Sequence, residues 1–102
     1  MKQIFDISLA QWSLHRSLQA GYIRAIDFPQ IARDQFGIHA VEYVNSFFPD
    51  KQPKLEFIRE LKSKCSDLGV QSLLIMCDGE GHIGDPDGSA RTKAIENHFK
   101  WI

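Results

Sequence analysis

The sequence predicts an α/β protein in which parallel strands are joined by crossover helices, the first three βα units of a partial (β/α)8 barrel. Three observations predict it. Strand-like and helix-like segments alternate in the order βαβαβα. No Asn-Gly turn separates successive strands, so right-handed crossovers between parallel strands are the expected connection. The units cover residues 1–37, 38–69 and 70–102, or 37, 32 and 33 residues. Eight such units would total roughly 270 residues, close to the ~250 typical of the barrel. A doubly wound open sheet is the rival. Its nucleotide-binding forms carry a glycine-rich turn after the first strand, and Gln11, Trp12, Ser13, Leu14 and His15 include no glycine.

The elements follow in order. Residues 4–11 alternate apolar with small or polar side chains and read as the first strand. A long loop is expected over 12–26. Asp27 then caps a helix with Pro29 in its first turn; Phe28, Ile31, Ala32 and Phe36 share one face, and Gly37 is the stop. Residues 38–45 form the second strand, rich in β-branched and aromatic side chains. Leu55, Ile58, Leu61, Cys65 and Leu68 make a helical apolar stripe that Gly69 ends. Residues 70–77 form the third strand, which its composition marks as the most buried. A Gly-rich acidic loop over 78–87 follows, with Asp85 as N-cap and Pro86 at the first helical position. Residues 90–102 keep helical apolar spacing with no stop signal behind them, so the expectation is a domain truncated in its third helix.

Bulk properties exclude several classes. A 43% apolar content supports a packed core rather than disorder. Twelve basic against thirteen acidic side chains, in no block of five like charges, argue against nucleic acid and polybasic membrane contacts. No apolar run approaches the ~20 residues of a membrane span. Met1, Lys2, Gln3, Ile4, Phe5 and Asp6 do not resemble a signal peptide. Two cysteines outside any CxxC pair suit a reduced, cytoplasmic setting.

Chemistry in parallel βα proteins gathers at the C-terminal strand ends. Three clusters lie there. In the first, Trp12 can lie against the apolar face of a sugar ring and His15 can donate to a hydroxyl; the competing reading packs Trp12 under the loop with His15 solvated. No nucleophile elbow surrounds Ser13. In the second, Glu42 is the one charge in an apolar strand, either at a pocket mouth or in a structural ion pair. The third, residues 78–87, has four carboxylates, but His82 and Ile83 break the EF-hand spacing and its acids repel phosphate. Asp78 and Glu80 are its remaining site candidates. Cys77 reads as a packed thiol, and His39 and His98 have no partners at metal-ligand spacing.

The stretches SLAQWSLH (8–15), DFPQIAR (27–33), FGIHAVEYVN (36–45), SLLIMCDGEG (72–81), GDPD (84–87) and AIENHFKW (94–101) resemble the N-terminal part of bacterial sugar phosphate isomerases/epimerases. These belong to the xylose-isomerase-like TIM-barrel superfamily. The resemblance implies a barrel with a divalent metal at its mouth, where a proton beside a sugar carbonyl is abstracted and the developing charge is held by the metal. It implies substrate contact for Trp12, His15 and Glu42. It places the metal ligands and catalytic acid/base groups on later strands, so no catalytic or metal residue is assigned here. The 102 residues are then expected to be inactive alone, to bind no metal tightly and to self-associate. Competing readings are a fragment of an apurinic endonuclease-like phosphodiesterase, disfavoured by the acidic third loop, and a self-contained α/β binding module.

Overall fold

The computed structural model describes residues 4–102. It is an α/β fold with one three-stranded parallel sheet in the order β1-β2-β3. The strands are β1 (Leu9–Ala10), β2 (Ala40–Val44) and β3 (Gln71–Met76); the helices are α1 (His15–Gln19), α2 (Phe28–Phe36), α3 (Leu55–Leu68) and α4 (Gly88–His98). Leu9 pairs with Val41 and Ala10 with Glu42. Val41 pairs with Ser72 but Glu42 with Leu74, so Leu73 is an extra residue that kinks β3.

Sequence signals for the two long crossovers are met closely. α2 and α3 end on Gly37 and Gly69, at φ of 64° and 68°, a left-handed geometry that a side chain disfavours. Ile38 and Val70 then donate back to the carbonyls of Ala32 and Cys65, which sets each chain turning directly into a strand. Phe28, Ala32, Leu61 and Cys65 bury the apolar stripes of α2 and α3 against Val41 and Tyr43 of β2, with Phe48 and Val70 completing the core. Phe28 and Phe48 both meet the Tyr43 ring edge-on, at centroid distances of 6.3 and 6.2 Å. Tyr43 also places its hydroxyl 2.7 Å from Ser72 Oγ and 3.3 Å from Cys65 Sγ, so the polar tip of a core residue is satisfied.

Several expectations are corrected. Of the strand expected over 4–11, only Leu9 and Ala10 pair; Ile4, Phe5 and Ile7 are exposed, because the five-residue β2 offers no partner that far back. The expected loop over 12–26 contains a 3₁₀ turn (Gln11–Leu14) and α1, anchored by Leu14 on the core. Asp27 makes no capping bond; its carboxylate is taken by Arg24 and Lys64 instead. Phe36 and Leu55, at the outer ends of their stripes, are exposed.

β3 is the least covered strand rather than the most buried, with Leu73 and Leu74 each about half exposed at 53% and 52%. It has β2 on one side only, and α3 covers just part of one face. Apolar composition shows what a strand requires; its position in the sheet decides whether that requirement is met.

The helix after β3 begins later than Asp85 and Pro86 suggest. Asp87 is the N-cap, accepting from Ala90 N at 2.8 Å, while Asp85 Oδ1 accepts from Asp87 N at 2.9 Å in the preceding turn. α4 seats Ala94 against Gly81, where an added Cβ would lie 3.0 Å from that of Ala94. The α-helix stops at His98, and a 3₁₀ turn (Phe99–Trp101) brings Trp101 edge-on to Phe48 at 5.4 Å. No helix among the described residues is long and apolar enough to cross a membrane.

Candidate functional site

All three strands end on the same side of the sheet, and β1 and β2 are each followed by a polar residue that ties its turn down. Gln11, 1% exposed, closes β1: its Oε1 accepts from Val44 N at 2.8 Å and locks the 3₁₀ turn onto the end of β2. Asn45 closes β2. Its Nδ2 donates to Asp78 O at 2.9 Å, and Asp78 N donates to its Oδ1 at 2.8 Å. Both amide groups of a buried side chain are thereby satisfied.

With Gln11 held inward, the tight turn sends Trp12 outward, 46% exposed. The His15 ring lies parallel to it, with centroids 4.3 Å apart and an interplanar angle of 5°. His15 Nδ1 is 2.7 Å from the Trp12 carbonyl oxygen. A carbonyl only accepts, so Nδ1 carries the proton and Nε2 is the ring nitrogen left for a ligand. Phe47, from the turn after β2, stacks with Trp12 at a centroid distance of 6.1 Å. Three rings from two loops form one open aromatic shelf.

Glu42 sits on a different surface. Leu9, Val41, Tyr43 and Ile75 face α2 and α3, so the pleat turns Ala10, Glu42 and Leu74 to the opposite side of the sheet. Glu42 is half-buried there and accepts from Ser8 Oγ at 2.9 Å. Among the described residues it has no cationic partner. The structure brings Trp12 and His15 together; Glu42 bonds to neither.

Around the third loop, Glu80 pairs with Lys100 at 3.1 Å, and its carbonyl accepts from Asn97 Nδ2 at 3.4 Å. These contacts tie the loop to the end of α4. Burial, with Glu80 and Asp78 adding to it, raises the Cys77 thiol above the ordinary thiol range, the wrong direction for a nucleophile. Ser13 makes no hydrogen bond to His15 among the described residues. No group of three or more His, Cys, Asp or Glu side chains converges among them either. A cavity of about 660 Å³ lies away from the shelf, between α3, β3 and Trp101.

Gln11, Asn45 and Phe47 are the residues sequence reasoning left without a role at the site. The available signal was the recurrence of an amide side chain immediately after an apolar strand, at positions 11 and 45. Compared with protein-family models and with curated proteins, the chain matches none.

Proposed function

We propose that this chain forms the first three βα units of a xylose-isomerase-like (β/α)8 barrel, part of a metal-dependent sugar or sugar phosphate isomerase or epimerase. The observation that carries the reading is the stacked pair Trp12 and His15 at the C-terminal end of β1, where parallel βα proteins gather their chemistry. The sheet supports it: α2 and α3 share one face, and the opposite face, bearing Glu42, is left for a barrel interior. A stacked indole and imidazole suit the apolar face of a sugar ring, and His15 Nε2 suits one of its hydroxyls.

The roles assigned to this chain are binding and orientation. Trp12 and Phe47 hold a ring face and His15 bonds a hydroxyl. Glu42, fixed by Ser8, directs a carboxylate into the interior. The divalent metal of the proposed chemistry would stabilise charge developing beside the carbonyl, with ligands supplied by further βα units.

The test is solvent exchange. A chain carrying all eight units, incubated with aldose and ketose phosphates in D2O with manganese or cobalt, should incorporate deuterium at the carbon beside the carbonyl. Trp12→Ala and His15→Ala should raise KM roughly 10-fold or more, consistent with ~1–3 kcal/mol per lost ring contact or hydrogen bond. Glu42→Gln should lower turnover more than stability. Absence of exchange with every sugar and metal tried would remove the isomerase reading.

A further inference from the structure

We infer that Gln11 is a positioning residue for the aromatic shelf. Its buried side-chain carbonyl joins the turn that carries Trp12 to the strand end that carries Phe47, and so sets the two rings that a ligand meets against each other. The identity of that ligand rests on the sugar-directed reading; the ring geometry does not.

The bond stands where a rung of the sheet is missing. β1 pairs only through Leu9 and Ala10, against Val41 and Glu42. At Gln11 the backbone has already left the sheet for the 3₁₀ turn Gln11–Leu14. β2 runs on to Val44, which is paired on its far side with Met76. Val44 N therefore finds no further residue of β1, and Gln11 Oε1 accepts from it at 2.8 Å. Gln11 is 1% and Val44 2% exposed, so bulk water does not compete for the bond.

Its position in the chain ties this bond to the shelf. Gln11 directly precedes Trp12, and Val44 directly precedes the 3₁₀ turn Asn45–Phe47. Among the described residues it is the one hydrogen bond between residues 11–19 and residues 44–51. Leu14 also holds the first turn on the core, but apolar packing has no preferred direction, whereas a hydrogen bond fixes one. On the other side, Asn45 is tied to Asp78 by two bonds. Gln11 thus docks the first turn onto a frame already held from its far side.

The two ring contacts of the shelf then depend on Gln11 unequally. Trp12 and His15 meet within one turn, through stacking at 4.3 Å and through His15 Nδ1, 2.7 Å from the Trp12 carbonyl oxygen. That contact is local and needs nothing from β2. Trp12 and Phe47 come from different turns, at a centroid distance of 6.1 Å and an interplanar angle of 28°. Their approach follows from how the turns dock.

Aromatic nuclear Overhauser effects in the 102-residue chain test the assignment. Gln11→Met keeps the side-chain length and removes the acceptor oxygen. It should lose the Trp12–Phe47 cross-peaks, keep those between Trp12 and His15, and speed Val44 amide exchange roughly 10-fold or more, with the far-UV circular dichroism unchanged. Gln11→Glu retains an acceptor oxygen and should restore the Trp12–Phe47 cross-peaks. In a chain carrying all eight units, Gln11→Met should raise KM for the sugar roughly 5-fold and lower kcat less than that.

Trp12–Phe47 cross-peaks that survive in a folded Gln11→Met chain would overturn the assignment, as would loss of both ring contacts together. So would an active eight-unit Gln11→Met enzyme with unaltered KM. Should Gln11→Met fail to fold, hydrogen exchange of the wild-type chain decides. Val44 must then exchange as slowly as the paired amides of β2, and exchange at the rate of the exposed turn amides overturns the role. Absence of sugar turnover in the wild-type enzyme would remove the sugar-directed reading and leave the ring measurements to decide Gln11.

Discussion

Asn45 and Asp78 exchange two hydrogen bonds, side-chain amide to backbone amide, just past the last paired residues of β2 and β3: Asn45 is one residue beyond Val44 and Asp78 two beyond Met76. The pair imitates one further rung of the sheet and fixes the start of the third loop relative to the second. Asn45→Ala leaves Asp78 N and O to find other partners at a site where Asn45 itself is 2% exposed. The expected loss is ~1–3 kcal/mol, read as a lower urea midpoint with little change in slope.

Tyr43 carries a similar burden inside the core. Burial, reinforced by the Cys65 contact, pushes its phenol above the ordinary tyrosine range. Its ionisation is therefore expected to coincide with alkaline unfolding, followed as tyrosinate absorbance against circular dichroism. Tyr43→Phe keeps the ring packing but strips Ser72 Oγ of its 2.7 Å partner, at a cost of about 1 kcal/mol.

Asp27 links α2 to α3 through Lys64, at 3.4 Å, and is held locally by two bonds from Arg24. The Arg24 bonds, then the Lys64 contact, lower its carboxyl below the ordinary carboxylate range. The sign follows from that direction: the stabilisation is present above the unfolded carboxylate value and is lost as pH falls through the lowered folded value. For a partly exposed pair the amount is about 0.5–1 kcal/mol. Asp27→Asn should therefore destabilise the chain at pH 7, with the difference shrinking as pH falls through the lowered folded value, measured by urea unfolding across a series of acid pH values.

Cys77 should alkylate slowly. With its thiol raised by burial and the neighbouring Glu80 and Asp78, less thiolate is present at pH 8 than in a free cysteine. The iodoacetamide rate should climb at higher pH than for a model thiol. Glu80→Gln removes one of the two charges and should move that profile back toward the free thiol.

Local chemistry made much of the fold legible. The spacing of Leu61, Cys65 and Leu68, the αL stops at Gly37 and Gly69, and the β-branched run of β2 each depend on contacts within a few residues, and each lies where its pattern places it. Half of the candidate site was legible in the same way. Trp12 and His15 are three residues apart in a tight turn, so their meeting is a local event. Glu42 was legible as an anomaly, a charge in an apolar strand. Which face it takes follows from the register of Ala10 against it, and a sequence read alone does not contain that register.

The 102 residues by themselves determined the two long helices α2 and α3, the strands β2 and β3, the parallel connectivity and the position of the aromatic pair, because hydrogen bonding and apolar periodicity act over one helical turn or one strand. Only the tertiary structure decided that Gln11 and Asn45 are buried anchors, that Asp27 is an ion-pair partner rather than a cap, and that β3 lies bare at the sheet edge. Each of those outcomes depends on which distant groups arrive beside the residue, and burial and pairing are properties of that neighbourhood rather than of the side chain.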